Sequence, residues 1–242
     1  MTDTEFHQPR DDTPGEHRGH AGSVWLREEP DRPRPVPLTR QRIVDAAVTL
    51  LDRHGIDGLT MRRLAQLLDV TPTALYWHVK TKDDVLDLAL DHVFGDVPLS
   101  EATDDWRGDA RALIRNWRAV MVRHPWAPGL IGRPMLGPNV LTRTEHLQAA
   151  LTRGGLSGVE LTMVTRTLAN YVIGTALTEA TWCRSADPQA RTEARRHITA
   201  NPDAYPTLNS SGHLDTARWS DDDLFERGLD LILAATPRQD GE

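Results

Sequence analysis

Lys80 and Lys82 are the only lysines in the 242-residue chain, and they stand two positions apart. Around them the sequence reads Thr71-Pro72-Thr73-Ala74-Leu75-Tyr76-Trp77-His78-Val79-Lys80-Thr81-Lys82. Hydroxyls, amphipathic rings, an imidazole and two ammonium groups in one short run suit contact with phosphates and base edges. Arg40, Arg42, Arg62 and Arg63 lie just upstream, although the whole chain carries a formal charge of -7. A basic surface here is therefore local, not a bulk property. The competing account is a solvated turn in a chain that uses little lysine. Other chemistries leave no such trace. The sequence has no Gly-x-Ser-x-Gly turn, no glycine-rich phosphate loop and no Glu-x-x-His pair. No catalytic residue is expected, and the chain is read as a non-enzyme.

Composition narrows the setting. Cys183 is the sole cysteine, so an internal disulfide and a thiolate zinc site are both excluded. No metal ligand and no cofactor is expected. No run approaches the roughly 18–20 apolar residues of a membrane span, and the first ten residues carry Asp3 and Glu5 without an apolar stretch. The expectation is a cytoplasmic protein with no membrane contact.

The elements that must position the 71–82 run are helices. Residues 1–37 read as a disordered extension rich in charge and proline, within which Arg32 and Arg34 are candidates for a minor-groove arm. Thr39 then caps a helix over 40–54, with Ile43, Ala46, Ala47, Leu50 and Leu51 on one face and Gly55 as its stop. A second helix is expected over 60–68. A third is capped by Thr71, has Pro72 at its first position and runs through Val79. Thr81 caps a fourth, with Asp84 three residues on. Further helices are expected over 106–124, 139–153, 156–182, about 188–200 and 221–235, the segment before the last being a loop. Strand-like alternation is absent. The fold class is all-α.

Residues 59–82, LTMRRLAQLLDVTPTALYWHVKTK, thus form a helix, a short turn and a second helix between two supports, the unit that places a helix in the major groove. This stretch resembles the TetR family of bacterial regulators, and within it the tetracycline repressors. The likeness is strong over 38–97, moderate over 106–182 and returns at Phe225 to Leu233, FERGLDLIL. It implies a helix-turn-helix domain over 38–84, a helical effector-binding and dimerisation domain over 85–236, and a tail over 237–242. By position, Arg62 would reach a guanine or a phosphate. Thr71, Thr73, Tyr76, Trp77, His78 and Lys80 would form the recognition surface, and Lys82 would match a phosphate-contacting lysine. Where tetracycline repressors carry Gln-Pro-Thr, this chain has Pro72-Thr73-Ala74, which implies a different operator.

The family places an effector pocket among the middle helices. Trp117, Met121, Trp126, Met135, Tyr171 and Trp182 are the large groups suited to line it, with Arg133, His146 and Asn170 as polar groups to orient a ligand; the competing account makes each an ordinary core or surface residue. The magnesium–tetracycline determinants are missing. Leu113 stands in place of the drug-clamping asparagine, Trp117 at the aromatic contact, and Val97-Pro98-Leu99 where a histidine is expected. The resemblance therefore implies a homodimeric repressor of a palindromic DNA operator, released by a small, more apolar effector. The alternative, an architectural DNA-binding protein without an effector, should be basic overall and lack a large second domain.

Overall fold

The computed structural model describes residues 37–130, 132–184 and 189–235, and every regular element in them is a helix. The extension read over 1–37 lies outside the described residues except for Pro37, as does the tail over 237–242. Four helices make an N-terminal head: α1 (Arg40–Gly58), α2 (Met61–Leu68), α3 (Pro72–Tyr76) and α4 (Lys82–Phe94). Each starts on a threonine, Thr39, Thr60, Thr71 and Thr81, whose hydroxyl accepts from an amide of the first turn. Such a cap satisfies one of the orphan N–H groups that every helix start exposes. Thr81 and Asp84 complete a reciprocal capping box. Gly55 adopts φ 65°, ψ −172° and kinks α1 at its expected stop, after which one more turn runs to Gly58.

The body comprises α5 (Trp106–Arg123), a 3-10 turn (Ala127–Leu130), α6 (Pro138–Arg153), α7 (Gly158–Arg184), α8 (Ala190–Ala200), α9 (Pro206–Ser211) and α10 (Asp221–Ala234). α5 lies against α6 and α7, and α7 carries α10. From Leu38 onward these helices form one compact unit, α4 packing on α1 at one side and on α6 at the other. Most of the apolar faces read from periodicity are buried, among them Ile43, Ala47 and Leu51 in α1, Ile114, Trp117 and Met121 in α5, and Phe225, Leu229 and Leu233 in α10, whereas Leu67 of α2 and Leu224 of α10, read onto the same faces, are exposed.

Two expectations change. The third helix ends at Tyr76 and not Val79, because Val79 turns into the core and the Lys80 ammonium closes the last turn on the Tyr76 carbonyl at 3.1 Å. The segment after α8, read as loop, contains α9. Its residues PTLNSS carry no apolar period. Tertiary bonds hold it, with Asn209 Nδ2 donating to the Ile198 carbonyl and Trp219 Nε1 to that of Ser211.

Candidate nucleic-acid interface

The turn between α2 and α3 is made by Asp69, held left-handed at φ 54°, ψ 48°, a conformation that a short polar side chain tolerates. It sets α3 across α2, with Leu64, Ala65 and Leu68 buried against Leu75 and Val79. The opposite face of α3 is left open. Thr71 and Thr73 are exposed at its N-terminus, His78 is half-buried, Tyr76 is 45% exposed and Trp77 is 81% exposed. Water solvates an indole poorly, so a fully presented tryptophan beside a tyrosine marks a surface made for contact. Arg62 is exposed on α2, whereas Arg63 donates to the Gly58 carbonyl at 3.1 Å.

Both lysines serve helix ends. Lys80 Nζ caps α3 as described, and Lys82 Nζ donates to the Ile56 carbonyl at 2.8 Å, closing α1. Positive charge at a helix C-terminus is favourable, and each ammonium keeps two further N–H donors. They are cations held in place, not free tethers. The Asp84 carboxyl sits below its ordinary range because the Lys80 amide and the Thr81 hydroxyl donate to it.

The residues read as effector-binding do not meet in one place. Asn170 and Tyr171 line a cavity of about 440 Å³ between α7 and α10, with Glu179, Asp221 and Phe225. Tyr171 stacks on Phe225 at 5.5 Å and donates to its carbonyl, and burial raises its phenol above the ordinary value. Trp182 lines a second space of about 390 Å³ with Arg191 and Trp219, and Met135 a third of about 330 Å³ beside Leu88 and Asp91 of α4. His146 is half-buried on α6. Trp117 and Met121 are inside the core, Trp117 edge-on to Phe94 of α4 at 5.2 Å. The Trp117 indole N–H is buried and finds no acceptor among the described residues. Trp126 donates to Asp52 at 2.7 Å, and Arg133 binds Asp87 and Asp83 of α4 at 2.6 and 3.0 Å. These last two join body to head.

Several structural residues were invisible in the sequence. Arg143, buried on α6, donates to the carbonyls of Gly95 and Val97 and to Asn139, gathering the end of α4. Asp91 of α4 accepts from the amides of Asn139 and Val140, and so caps α6, whose own Gly137 has no side chain to do it. Arg118 is held by Glu179 and Asp222 over the Phe225 ring. Burial works against its charge, and the two carboxylates raise its pKa in spite of that. Apart from Asn139, four residues before Arg143, these partners lie tens of residues away in sequence, beyond any local signal.

Comparison with known proteins settles the family. A family model described as "Bacterial regulatory proteins, tetR family" matches residues 43–89, and one described as "Tetracyclin repressor-like, C-terminal domain" matches residues 97–235. An HTH-type transcriptional regulator of Saccharopolyspora erythraea is 42% identical over 219 residues, spanning 89% of this chain and 92% of that protein. The HTH-type transcriptional repressor DrrR1 of Streptomyces coeruleorubidus is 35% identical over 210 residues, 83% and 77% of the two chains. Among solved structures, the TetR family protein ActR of Streptomyces coelicolor in complex with actinorhodin aligns with a TM-score of 0.74 at 30% identity, over 82% of this chain and 95% of that one. No helix of the described residues is long and apolar enough to cross a membrane. A helix-turn-helix head with an exposed Tyr76–Trp77 face is thus joined to a body that matches the family's C-terminal domain, and the chain belongs to the TetR family of transcriptional regulators.

Proposed function

We propose that this protein is a homodimeric repressor that holds a palindromic operator through α3 and leaves it when a small molecule enters the body. The observation that carries the reading is the exposed Tyr76–Trp77 face beside Thr71, Thr73 and two anchored lysines. Thr73 at the start of α3 meets base edges, while Arg62, Tyr76, Trp77, His78, Lys80 and Lys82 take up phosphates and sugars. Val159, Met163 and Leu177 of α7, with Leu224 and Leu231 of α10, are large apolar groups left exposed on one helix pair. That face supports pairing with a second copy, which sets two recognition helices roughly 34–36 Å apart.

The effector is more apolar than magnesium–tetracycline, a reading supported by Leu113 and by Val97-Pro98-Leu99 at the positions where that complex is held. Its release of DNA needs only a higher affinity for the form with the heads displaced. ActR, bound to actinorhodin, is a relative whose ligand provides a first probe. The test is selection of binding sites from random DNA by the purified protein, with Trp77→Ala alongside. Trp77 is so exposed that its loss leaves the fold intact. A selected palindrome, bound about tenfold or more weakly by the variant, supports the reading. Absence of any enriched sequence overturns it.

A further inference from the structure

Asp52 lies on the outer flank of α1, and one of its oxygens accepts two hydrogen bonds from the segment that follows α5. Trp126 Nε1 donates at 2.7 Å and His124 Nδ1 at 2.8 Å. Both donors are buried, Trp126 to 1% exposure, and their rings meet edge to face at 6.0 Å. Three residues on, Gly129 lies against Ile56, where a built Cβ would stand 3.5 Å from the Ile56 methyl. The Ile56 carbonyl is the one that holds Lys82. The turn 124–130 therefore touches the head at α1, one residue contact away from the anchored cation at the DNA face.

We propose that Asp52, His124 and Trp126 form a latch that fixes the rotation of the head about α4, and thereby set which half-site spacing the dimer accepts. This rests on the repressor reading above. The argument is mechanical. α4 is the element shared by head and body, bolted to the body at its far end by Asp91 and Arg143. Arg133 grips α4 itself, through Asp83 and Asp87, so it resists sliding of α4 but has little leverage against turning about it. Asp52 is on α1, beside that axis, where a bond resists rotation. The Arg133 pairs are also more exposed to water, which weakens them, whereas the two donors to Asp52 are desolvated and costly to leave unpaired. Rotation of two heads in opposite senses changes the distance and phase between recognition helices, and base-pair spacing on a duplex is read through both. The three are positioning residues, none of which touches DNA.

The test uses the full chain with spin labels at two exposed positions, Gln66 on α2 and Glu145 on α6, in a Cys183→Ser background diluted with unlabelled protein. Electron–electron distance distributions report head orientation without DNA. Asp52→Ala and Trp126→Phe should at least double the width of the distribution, and Asp52→Asn, which keeps an acceptor oxygen, should restore much of it. On the selected palindrome with one base pair added or removed between half-sites, the affinity penalty of the parent protein should shrink at least threefold in Asp52→Ala and Trp126→Phe. A merely destabilised protein would instead bind every spacing more weakly by one factor. An unchanged width overturns the latch, and a broadened width with an unchanged spacing profile overturns its role in operator choice. If Trp126→Phe fails to fold, Asp52→Ala and its asparagine counterpart decide alone. If the parent protein selects no palindrome, the repressor reading and the spacing claim fall together, while the distance width still confirms or overturns the latch.

Discussion

The head and the body are both helical, but different forces organise them. In the head, α1 to α4 each carry their own threonine cap, and the bonds that define the starts run between residues three positions apart. In the body, Asp105 and Ser220 cap α5 and α10, but α6, α8 and α9 have no side-chain cap of their own. The start of α6 and the face of α5 are secured at a distance. Asp91 caps α6 from another helix, and arginines of α5 form a ladder to α10: Arg107 to the Leu233 carbonyl, Arg111 to Asp230, Arg115 to Glu226 and Arg118 to Asp222. A unit that must keep its shape on DNA is specified locally. A unit expected to rearrange around a ligand is held by contacts that can be exchanged without unwinding a helix.

Breaking one bond of each kind tests this contrast. The largest effect is expected for Arg143→Leu. It strands the Gly95 and Val97 carbonyls in a buried site and should cost about 3 kcal/mol in urea unfolding. Next comes Thr81→Ala, which removes the hydroxyl half of the capping box at α4, leaving the Asp84 carboxylate on the backbone amides of positions 80 and 81, and should cost about 1 kcal/mol. Hydrogen exchange should show that loss confined to the head. For the ladder, Arg115→Gln should cost under about 1 kcal/mol, because both partners are partly in water, and the difference from the parent should vanish in high salt.

The smallest effect is acid titration. Asp84 is lowered by the Lys80 amide, Asp109 by the Thr103 amide and Asp221 by Arg191. Groups lowered on folding stabilise the protein fully above the ordinary value of 3.8, and that contribution disappears as pH falls through the folded values. Carboxyl NMR titration should show all three protonating below that value, and Asp84→Asn should remove the head's share of the acid sensitivity.

The same contrast explains what the sequence discloses. Thr39, Thr71 and Thr81 announce α1, α3 and α4 because a cap and the amide it binds are near neighbours in the chain, whereas Thr60, read as the first residue of the second helix, is the cap of α2. Pro72 and the aromatic run that follows mark the recognition helix for the same reason. The end of α3 was less legible, since the burial of Val79 depends on packing against helices that a local pattern does not contain. α9 leaves no period because Ile198 and Trp219 fasten it from outside. Trp126 and Arg133 read as large or polar groups suited to a pocket. Nothing local shows that their partners are Asp52, Asp83 and Asp87, between 46 and 74 residues away. Conversely, the orphaned indole of Trp117 could be recognised only once the side chains around it were in place.

The two lysines have a practical consequence for anyone handling this protein. Reagents that acylate side-chain amines have only Lys80 and Lys82 to attack, and both sit beside the face of the head proposed to meet DNA. Amine coupling to a sensor surface through these lysines would tether the molecule by the proposed reading face. Immobilised DNA with the protein in solution is the arrangement that leaves the interface open.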